Sequence, residues 1–158
     1  MKNQIADVDW IVVASSSGGT QAGMLLGAEL AGYKGKVLGI SIDSKAEELA
    51  GIVKKLCEVG ASNLRGAVRV NDASILVNDD YLGGGYAVMG APEAEAINLF
   101  ARYEGLLLDP VYTGRSAAGM IDLIRKGFFQ PGQRVLFWHT GGTPVLFAEP
   151  YLTMLQGS

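Results

Sequence analysis

The chain has 158 residues, of which 49% are hydrophobic and 18% are charged, and its formal net charge is −3 at pH 7. This composition is typical of a globular domain with a buried core, and it excludes an intrinsically disordered chain. No apolar run reaches the roughly 18 residues that a membrane helix needs, so we expect no membrane partner. The basic residues are scattered apart from Lys54-Lys55, so we expect no nucleic-acid partner either.

The cysteine and histidine content bears on compartment and metal binding. Cys57 is the single cysteine and His139 the single histidine, which argues against a disulfide and against a zinc or other metal site. We expect Cys57 to be buried as a small hydrophobic residue. Residues 1–10 contain no apolar segment of the kind that a secretory signal requires. A cytoplasmic location is the simplest expectation.

The first half of the chain predicts two strand–helix units. Continuous apolar runs predict buried strands at 9–14 and 36–42. A small, apolar helix is predicted at 21–30, with Gly32 as its C-terminal cap. An amphipathic helix is predicted at 44–59, with Asp43 or Ser44 as its N-cap.

The second half predicts shorter elements around a long loop. Residues 67–70 and 74–77 are short β-prone segments, and residues 78–90 form a glycine-rich loop long enough to carry function. Helices are predicted at 92–103 and 115–126, core strands at 106–108 and 134–138, and a short helix or turn from Pro144. Asp79-Asp80 is interpreted as a solvated loop or a helix cap, not as a metal pair.

Strands that alternate with helices predict an α/β fold. We expect a three-layer arrangement with a mainly parallel, open sheet of about four to five strands flanked by helices. No linker or low-complexity tract interrupts the pattern, so residues 1–158 are predicted to form a single domain.

Two similar glycine loops follow strong strands: Ser17-Gly18-Gly19-Thr20 and Thr140-Gly141-Gly142-Thr143. Both should lie at the carboxyl edge of the sheet, where open α/β folds bind ligands. The first loop also opens a helix, whose free backbone N–H groups attract phosphate. A glycine-rich turn without any ligand remains the alternative for each loop. The P-loop and dinucleotide-binding motifs are absent.

Several ordered segments carry a more specific resemblance. They are Ser17-Gly18-Gly19-Thr20-Gln21-Ala22-Gly23, Asp109-Pro110-Val111-Tyr112-Thr113-Gly114-Arg115 and Leu136-Phe137-Trp138-His139-Thr140-Gly141-Gly142-Thr143-Pro144. From about Asp9 to about Phe147 the chain resembles the C-terminal part of the D-cysteine desulfhydrase / 1-aminocyclopropane-1-carboxylate (ACC) deaminase family. These are fold-type II, tryptophan synthase β-like enzymes that use pyridoxal 5′-phosphate (PLP), and the matching part is a Rossmann-like half of their large domain.

The resemblance implies roles for individual residues. Ser17, Gly18, Gly19 and Thr20 would hold the cofactor phosphate. Tyr86 and Tyr112 match the two active-site tyrosines, although Tyr86 could instead be a surface aromatic and Tyr112 a packing residue. His139 is interpreted as a hydrogen-bonded structural residue.

Thr113 and Thr140 bear on the reaction. The deaminases resemble Tyr-Glu-Gly at 112–114, where the glutamate pairs with a protonated pyridine nitrogen. This chain has Thr113 there, and Thr140 also matches the desulfhydrase-like pattern near that nitrogen. A hydroxyl makes the ring a weaker electron sink than a carboxylate does. The resemblance therefore favours β-elimination from a small amino acid over opening of a cyclopropane ring.

The resemblance also implies that the Schiff-base lysine and the smaller domain lie upstream of the phosphate loop, outside this chain. The seven lysines do not match the family's lysine motif; they are Lys2, Lys34, Lys36, Lys45, Lys54, Lys55 and Lys126. PLP lyases need the lysine as anchor and as base. Three hypotheses remain: a catalytically incomplete piece of a lyase, a phosphate- or PLP-binding module, and a structural remnant. We expect a homodimer or higher oligomer, because lost covering elements would expose apolar patches. A lysine-bearing partner chain is a separate hypothesis.

Overall fold

A four-stranded parallel sheet forms the centre of the molecule. The computed structural model describes residues 7–64 and 68–156. The strands are β1 (Trp10–Ser15), β2 (Lys36–Ser41), β3 (Leu76–Asn78) and β4 (Val135–Trp138). They lie in the order β3-β2-β1-β4, so β1 is central and pairs in parallel with both β2 and β4. All six residues of β1 are buried, as expected of a strand that is covered on both faces.

Helices cover both faces of the sheet. They are α1 (Gly19–Ala31), α2 (Ala46–Asn63), α3 (Ala91–Glu104), α4 (Thr113–Arg125) and the short α5 (Tyr151–Gln156). Ile11 and Val13 of β1 pack with residues of α1 and α2, whereas Trp10 and Val12 pack with residues of α4. This alternation follows from the two-residue period of a strand. The predicted three-layer α/β fold is confirmed.

The helix ends follow the sequence signals in part. Gly32 caps α1 in the left-handed conformation, with φ of 67°, and Cys57 is buried in α2, as predicted. The predicted N-cap of α2 is wrong: Lys45 occupies that position, and neither Asp43 nor Ser44 caps the helix. The backbone N–H of Ala46 instead donates to the carboxylate of Asp79 at 3.2 Å. Asp79 therefore has the capping role that was one of its two interpretations.

The predicted strand at 106–108 is not formed. Leu108 is fully buried, but Leu106 and Leu107 are each close to half exposed. The backbone groups of this segment have other partners. The Leu106 N–H donates to the Phe100 carbonyl, and this hydrogen bond closes the C-terminal end of α3. The Leu107 carbonyl accepts from the hydroxyl of Thr143. The segment is extended and partly buried, but it makes no ladder with a described strand.

The remaining short segments differ from their predicted boundaries. The β-prone segment 74–77 becomes a 3₁₀ turn, Asp72–Ser74, followed by β3. Of the segment 67–70, Ala67 lies outside the described residues, as does Lys2, and residues 68–70 form no strand. Pro144 lies in a 3₁₀ helix, Thr143–Phe147. None of the helices within the described residues has the length and apolar character that crossing a membrane requires.

Candidate functional site

A cavity of about 300 Å³ opens at the carboxyl end of β1. It brings the first glycine loop together with one candidate catalytic tyrosine and with Thr140 from the second glycine loop. Its lining consists of Ala14, Ser15, Ser16, Ser17, Gly18, Gly19, Thr20, Tyr112 and Thr140. Four of the predicted phosphate-binding residues, one of the two tyrosines and one of the two threonines thus share a single cavity.

The first glycine loop leaves the N-terminus of α1 open to this cavity. Gly18 is the N-cap, with φ of 76°, and no side chain caps the helix. The first N–H groups of a helix have no acceptor inside the helix, so here they remain available to an anion. A side chain at Gly18 would be strained, and its Cβ would lie 3.0 Å from Val53. At Gly19 a Cβ would meet nothing within 4 Å.

Ser15 adds a polar group that sequence reasoning missed. It is only 2% exposed, and its Oγ has no hydrogen-bond partner among the residues that the structure describes. A buried hydroxyl without a partner is costly, and such groups call for an explanation. Ser15 lines the cavity beside the open end of α1. A bound phosphate would supply an acceptor at this place, so these residues fit the phosphate of PLP. The signal in the sequence was a polar residue at the end of an otherwise apolar strand.

Tyr86 and Tyr112 form a pair. Their hydroxyl oxygens are 2.5 Å apart, and their rings meet edge to face with centroids 6.1 Å apart. The hydrogen bond with Tyr86, followed by burial and by the carboxylates of Asp109 and Asp43, raises the pKa of Tyr112 to about 12. Tyr86 is 53% exposed, so it reaches the pair from the surface of the glycine-rich loop. Tyr112 therefore stays protonated to higher pH than an ordinary tyrosine.

Asp109 shapes the start of α4 and thereby places Tyr112. Its carboxylate is fully buried and accepts four hydrogen bonds. The donors are the backbone N–H groups of Val111, Tyr112 and Thr113 and the hydroxyl of Thr113. A carboxylate at a helix N-terminus satisfies the free N–H groups and the helix dipole. This cap explains why α4 begins at Thr113, two residues before the predicted start.

Thr113 does not line the cavity. It is fully buried, its hydroxyl donates to the Asp109 carboxylate at 2.7 Å, and its oxygen accepts from the Asp109 N–H at 2.8 Å. A threonine hydroxyl has one hydrogen to donate, and Asp109 takes it here. Contact between Thr113 and the cofactor ring stays a prediction.

The second glycine loop folds against Asp109. Gly141 and Gly142 have φ of 96° and 95°, and a Cβ at Gly142 would lie 2.8 Å from the carboxyl carbon of Asp109. His139 accepts the Gly141 N–H at Nδ1, so its Nε2 carries the hydrogen that faces the Leu107 carbonyl at 3.2 Å. Both ring nitrogens are thus engaged with backbone groups, in agreement with the structural role expected of His139.

Arg115 and Glu93 form a buried ion pair for which sequence reasoning assigned no role. Arg115 Nε donates to Glu93 at 2.9 Å, and the two side chains are 1% and 6% exposed. The Glu93 carboxylate also accepts the Gly90 N–H at the start of α3. A glutamate three residues after a helix N-cap is a recognisable signal, but its pairing with Arg115, 22 residues later, could not be read from the sequence. The residues that the structure describes contain no cluster suited to a metal ion.

Comparison with known proteins identifies the family. Residues 1–141 match the model of the family described as "Pyridoxal-phosphate dependent enzyme". An ACC deaminase of Bradyrhizobium sp. (strain BTAi1 / ATCC BAA-1182) is 38% identical over 143 residues, which are 90% of this chain and 42% of the relative. An ACC deaminase of Burkholderia vietnamiensis (strain G4 / LMG 22486) is 39% identical over 140 residues, which are 89% of this chain and 41% of the relative.

The fold agrees with these similarities. A solved structure described as an "ACC deaminase homologue" superimposes on this chain with a TM-score of 0.83 at 34% sequence identity. The matching region covers 99% of this chain and 47% of the homologue's chain. The chain thus spans less than half the length of these relatives. The resemblance inferred from the ordered motifs is confirmed: the chain is similar to ACC deaminases over most of its length, and it belongs to the family of pyridoxal-phosphate dependent enzymes.

Proposed function

We propose that this chain is the C-terminal, PLP-binding portion of a lyase like the D-cysteine desulfhydrases and ACC deaminases, and that it is catalytically incomplete alone. The observation that carries the proposal is the cavity at the end of β1. An uncapped helix N-terminus lines this cavity together with Tyr112, Thr140 and Ser15, and the buried hydroxyl of Ser15 has no partner among the described residues. This arrangement offers hydrogen-bond donors to a phosphate and aromatic and hydroxyl groups to what is attached to it.

The residues divide into a phosphate end and a proton-handling end. Ser17, Gly18, Gly19 and Thr20 would hold the phosphate through their backbone N–H groups and hydroxyls, with Ser15 beneath them. PLP, when bound, supplies an electron sink for the carbanion formed at the substrate's α-carbon.

The tyrosine pair would handle a proton. Tyr112 Oη is protonated at neutral pH, and its raised pKa means that this proton is held more tightly than in an ordinary tyrosine. Tyr86 Oη is hydrogen-bonded to Tyr112 Oη, so it can serve as a second acceptor for that proton. We propose Tyr86 and Tyr112 as the catalytic residues of this portion, because the paired hydroxyls can hold or move a proton next to the substrate.

The threonines support the desulfhydrase side of the family. Thr113 stands where the deaminases resemble a glutamate, and its hydroxyl hydrogen is donated to Asp109. No carboxylate side chain lines the cavity among the described residues. We therefore propose that Thr113 and Thr140 leave the ring nitrogen without a carboxylate partner. That arrangement suits β-elimination from a small amino acid such as D-cysteine.

The proposed incompleteness rests on the missing base. No lysine lines the cavity within the part of the chain that the structure describes. Lys45 lies near Asp79 with 77% of its side chain exposed. The relatives contain more than twice as much chain as the matching region. We propose that the lysine comes from a further segment or a partner chain, and that the complete protein acts in the cytoplasm.

An apolar groove beside β4 supports a partner at that edge. β4 pairs only with β1 among the described strands, and a groove of about 480 Å³ lies next to it. Tyr103 and Leu106, which line the groove, are 69% and 45% exposed. Apolar surface of this kind is typically covered by another chain or segment. The alternative is homo-oligomerisation through the same edge of the sheet. The unpaired side of β4 also supports it, because an edge strand can pair with a strand of a second copy.

The test is a reconstitution with PLP. We expect the isolated chain to bind PLP in competition with inorganic phosphate. After borohydride reduction no lysine peptide should carry the cofactor, and D-cysteine should yield neither pyruvate nor sulfide. A labelled lysine peptide together with pyruvate formation would overturn the proposed incompleteness. If inorganic phosphate does not compete with PLP, the proposed phosphate site is wrong.

A further inference from the structure

We infer that Arg115 is a positioning residue for the tyrosine pair: its buried guanidinium, paired with Glu93, holds the backbone of residues 85–88 so that the Tyr86 hydroxyl meets that of Tyr112. This inference deepens the proposed function, since it concerns the same two tyrosines. It can nevertheless be tested without any cofactor.

The contacts of Arg115 converge on the loop that carries Tyr86. Arg115 Nη1 donates to the carbonyls of Ile42 and Gly85, each at 2.9 Å, and Nη2 donates to the carbonyl of Val88 at 2.7 Å. Nε donates to Glu93 at 2.9 Å. The two loop carbonyls lie on either side of Tyr86 and Ala87. One guanidinium therefore fixes both ends of the short segment from which Tyr86 projects.

An arginine suits these four acceptors well. The planar guanidinium offers five donors in a fixed fork, and four of its hydrogen bonds here go to oxygens in three separate segments. The guanidinium is withdrawn from water, so its charge must be balanced and its donors satisfied. Glu93 supplies the opposite charge from the first turn of α3. The pair thus ties the loop to α3 and α4 at the same time.

The loop itself requires restraint. Ala87 has φ of 61°, which is unfavourable for a residue with a side chain and persists only where surrounding contacts enforce it. The hydroxyl of Tyr151 donates to the Ala87 carbonyl, and Arg115 binds the carbonyls two residues before and one residue after Ala87. Tyr86 is half exposed, so its own packing cannot hold it in place. The position of its hydroxyl depends on the anchored backbone.

A second ion pair between the same helices provides a matched control. Arg125 of α4 binds Glu95 of α3 through two hydrogen bonds, at 2.7 and 3.1 Å. Both side chains are about half exposed, and their hydrogen bonds are with each other, away from the loop at 85–88. Removing this pair loosens the two helices without touching the carbonyls that Arg115 holds.

The experiment follows the titration of Tyr112 by NMR of the full chain labelled with ¹³C at tyrosine Cζ. Y112F assigns the signal, and Y86F reports Tyr112 without its partner. The main variant is E93Q/R115M, in which an apolar side chain replaces the arginine and the glutamine oxygen still accepts the Gly90 N–H. The control is E95Q/R125M. The charged and titratable groups that face Tyr112 are Tyr86, Asp109 and Asp43, and none of them is changed in either double variant.

We expect the pKa of Tyr112 to fall from about 12 toward its ordinary value of 10.0 in E93Q/R115M, reaching the value found in Y86F, while E95Q/R125M keeps the wild-type titration. The inference is overturned if E93Q/R115M titrates like the wild type, or if the control shifts equally. Should the main variant lose its cooperative thermal transition, R115K decides on the same terms, because it keeps the charge and loses the fork. A failure of PLP binding leaves this result unaffected.

Discussion

The two glycine loops have nearly the same sequence but different surroundings. Ser17-Gly18-Gly19-Thr20 opens a 13-residue helix with no side-chain cap, and its hydroxyls and N–H groups face a cavity. Thr140-Gly141-Gly142-Thr143 leads into a five-residue 3₁₀ helix. Thr140 lines the cavity, but the rest of the loop binds internally: Thr143 donates to the Leu107 carbonyl, and Gly142 packs on the Asp109 carboxylate. The comparison teaches that a hydroxyl–glycine–glycine pattern offers an anion site only where a helix N-terminus is left free behind it.

The largest expected effect is that of G142A in the second loop. Alanine is strained at φ of 95°, and its Cβ would lie 2.8 Å from a carboxylate that four hydrogen bonds hold in place. Strain and overpacking together should lower the free energy of unfolding by about 3 kcal/mol. Urea denaturation measures this value. A loss below about 1 kcal/mol would show that the loop does not pack on Asp109 as described.

G18A in the first loop should cost less. Its φ of 76° is unfavourable for alanine, but the Cβ would meet methyl groups of α2 and no carboxylate, the nearest being Val53 Cγ2 at 3.0 Å. We expect a loss of about 1–2 kcal/mol, chiefly from the backbone strain. The same denaturation series checks the order of the two variants. If G18A proves more destabilising than G142A, the contrast between a supported loop and an open loop is wrong.

G19A should separate binding from stability. A Cβ at Gly19 has no neighbour within 4 Å, and its residue starts α1, so the free energy of unfolding should change by no more than about 0.5 kcal/mol. The new methyl group would lie at the cavity wall, so inorganic phosphate should bind more weakly. Isothermal titration calorimetry of G18A, G19A and the wild type measures the affinity for inorganic phosphate. Unchanged phosphate binding would argue that the backbone at Gly19 is not approached by the ligand.

Alkaline pH should remove the stabilisation that the hydrogen bond between Tyr86 and Tyr112 provides. The pKa of Tyr112 is raised in the folded state, so its protonated hydroxyl stabilises the folded protein. This contribution to the free energy of unfolding is fully present below the ordinary pKa of 10.0 and is lost as pH rises through about 12. Y86F removes the largest cause of that shift. The difference in unfolding free energy between wild type and Y86F should therefore shrink across this pH range. A constant difference would mean that the two hydroxyls are not hydrogen-bonded in solution.

The sequence predicted features that depend on local patterns. The buried strand β1, the cap at Gly32 and the glycine loop before α1 follow from apolar runs and backbone requirements that neighbouring residues specify. The family motifs also brought Tyr86 and Tyr112 into one prediction, and the structure places their hydroxyls in contact.

What the sequence could not predict depends on distant partners. The strand expected at 106–108 reads as apolar, but the hydroxyl of Thr143, 36 residues later, takes the Leu107 carbonyl. The cap of α2 comes from Asp79, which lies 33 residues beyond the helix start. The unpartnered state of Ser15 is likewise visible only when its surroundings are assembled.

The most direct test of the central claim compares Ser15 and Thr20 with Thr143. Calorimetry should detect PLP binding to the wild-type chain, and inorganic phosphate should compete with it. S15A and T20V should each weaken PLP binding about ten- to hundredfold, since a hydrogen bond to a charged group contributes about 1.5–3 kcal/mol. T143V, in the second loop, should bind PLP like the wild type. Equal losses in T20V and T143V, or PLP binding that phosphate leaves unchanged, would contradict the assignment of the first loop as the phosphate site.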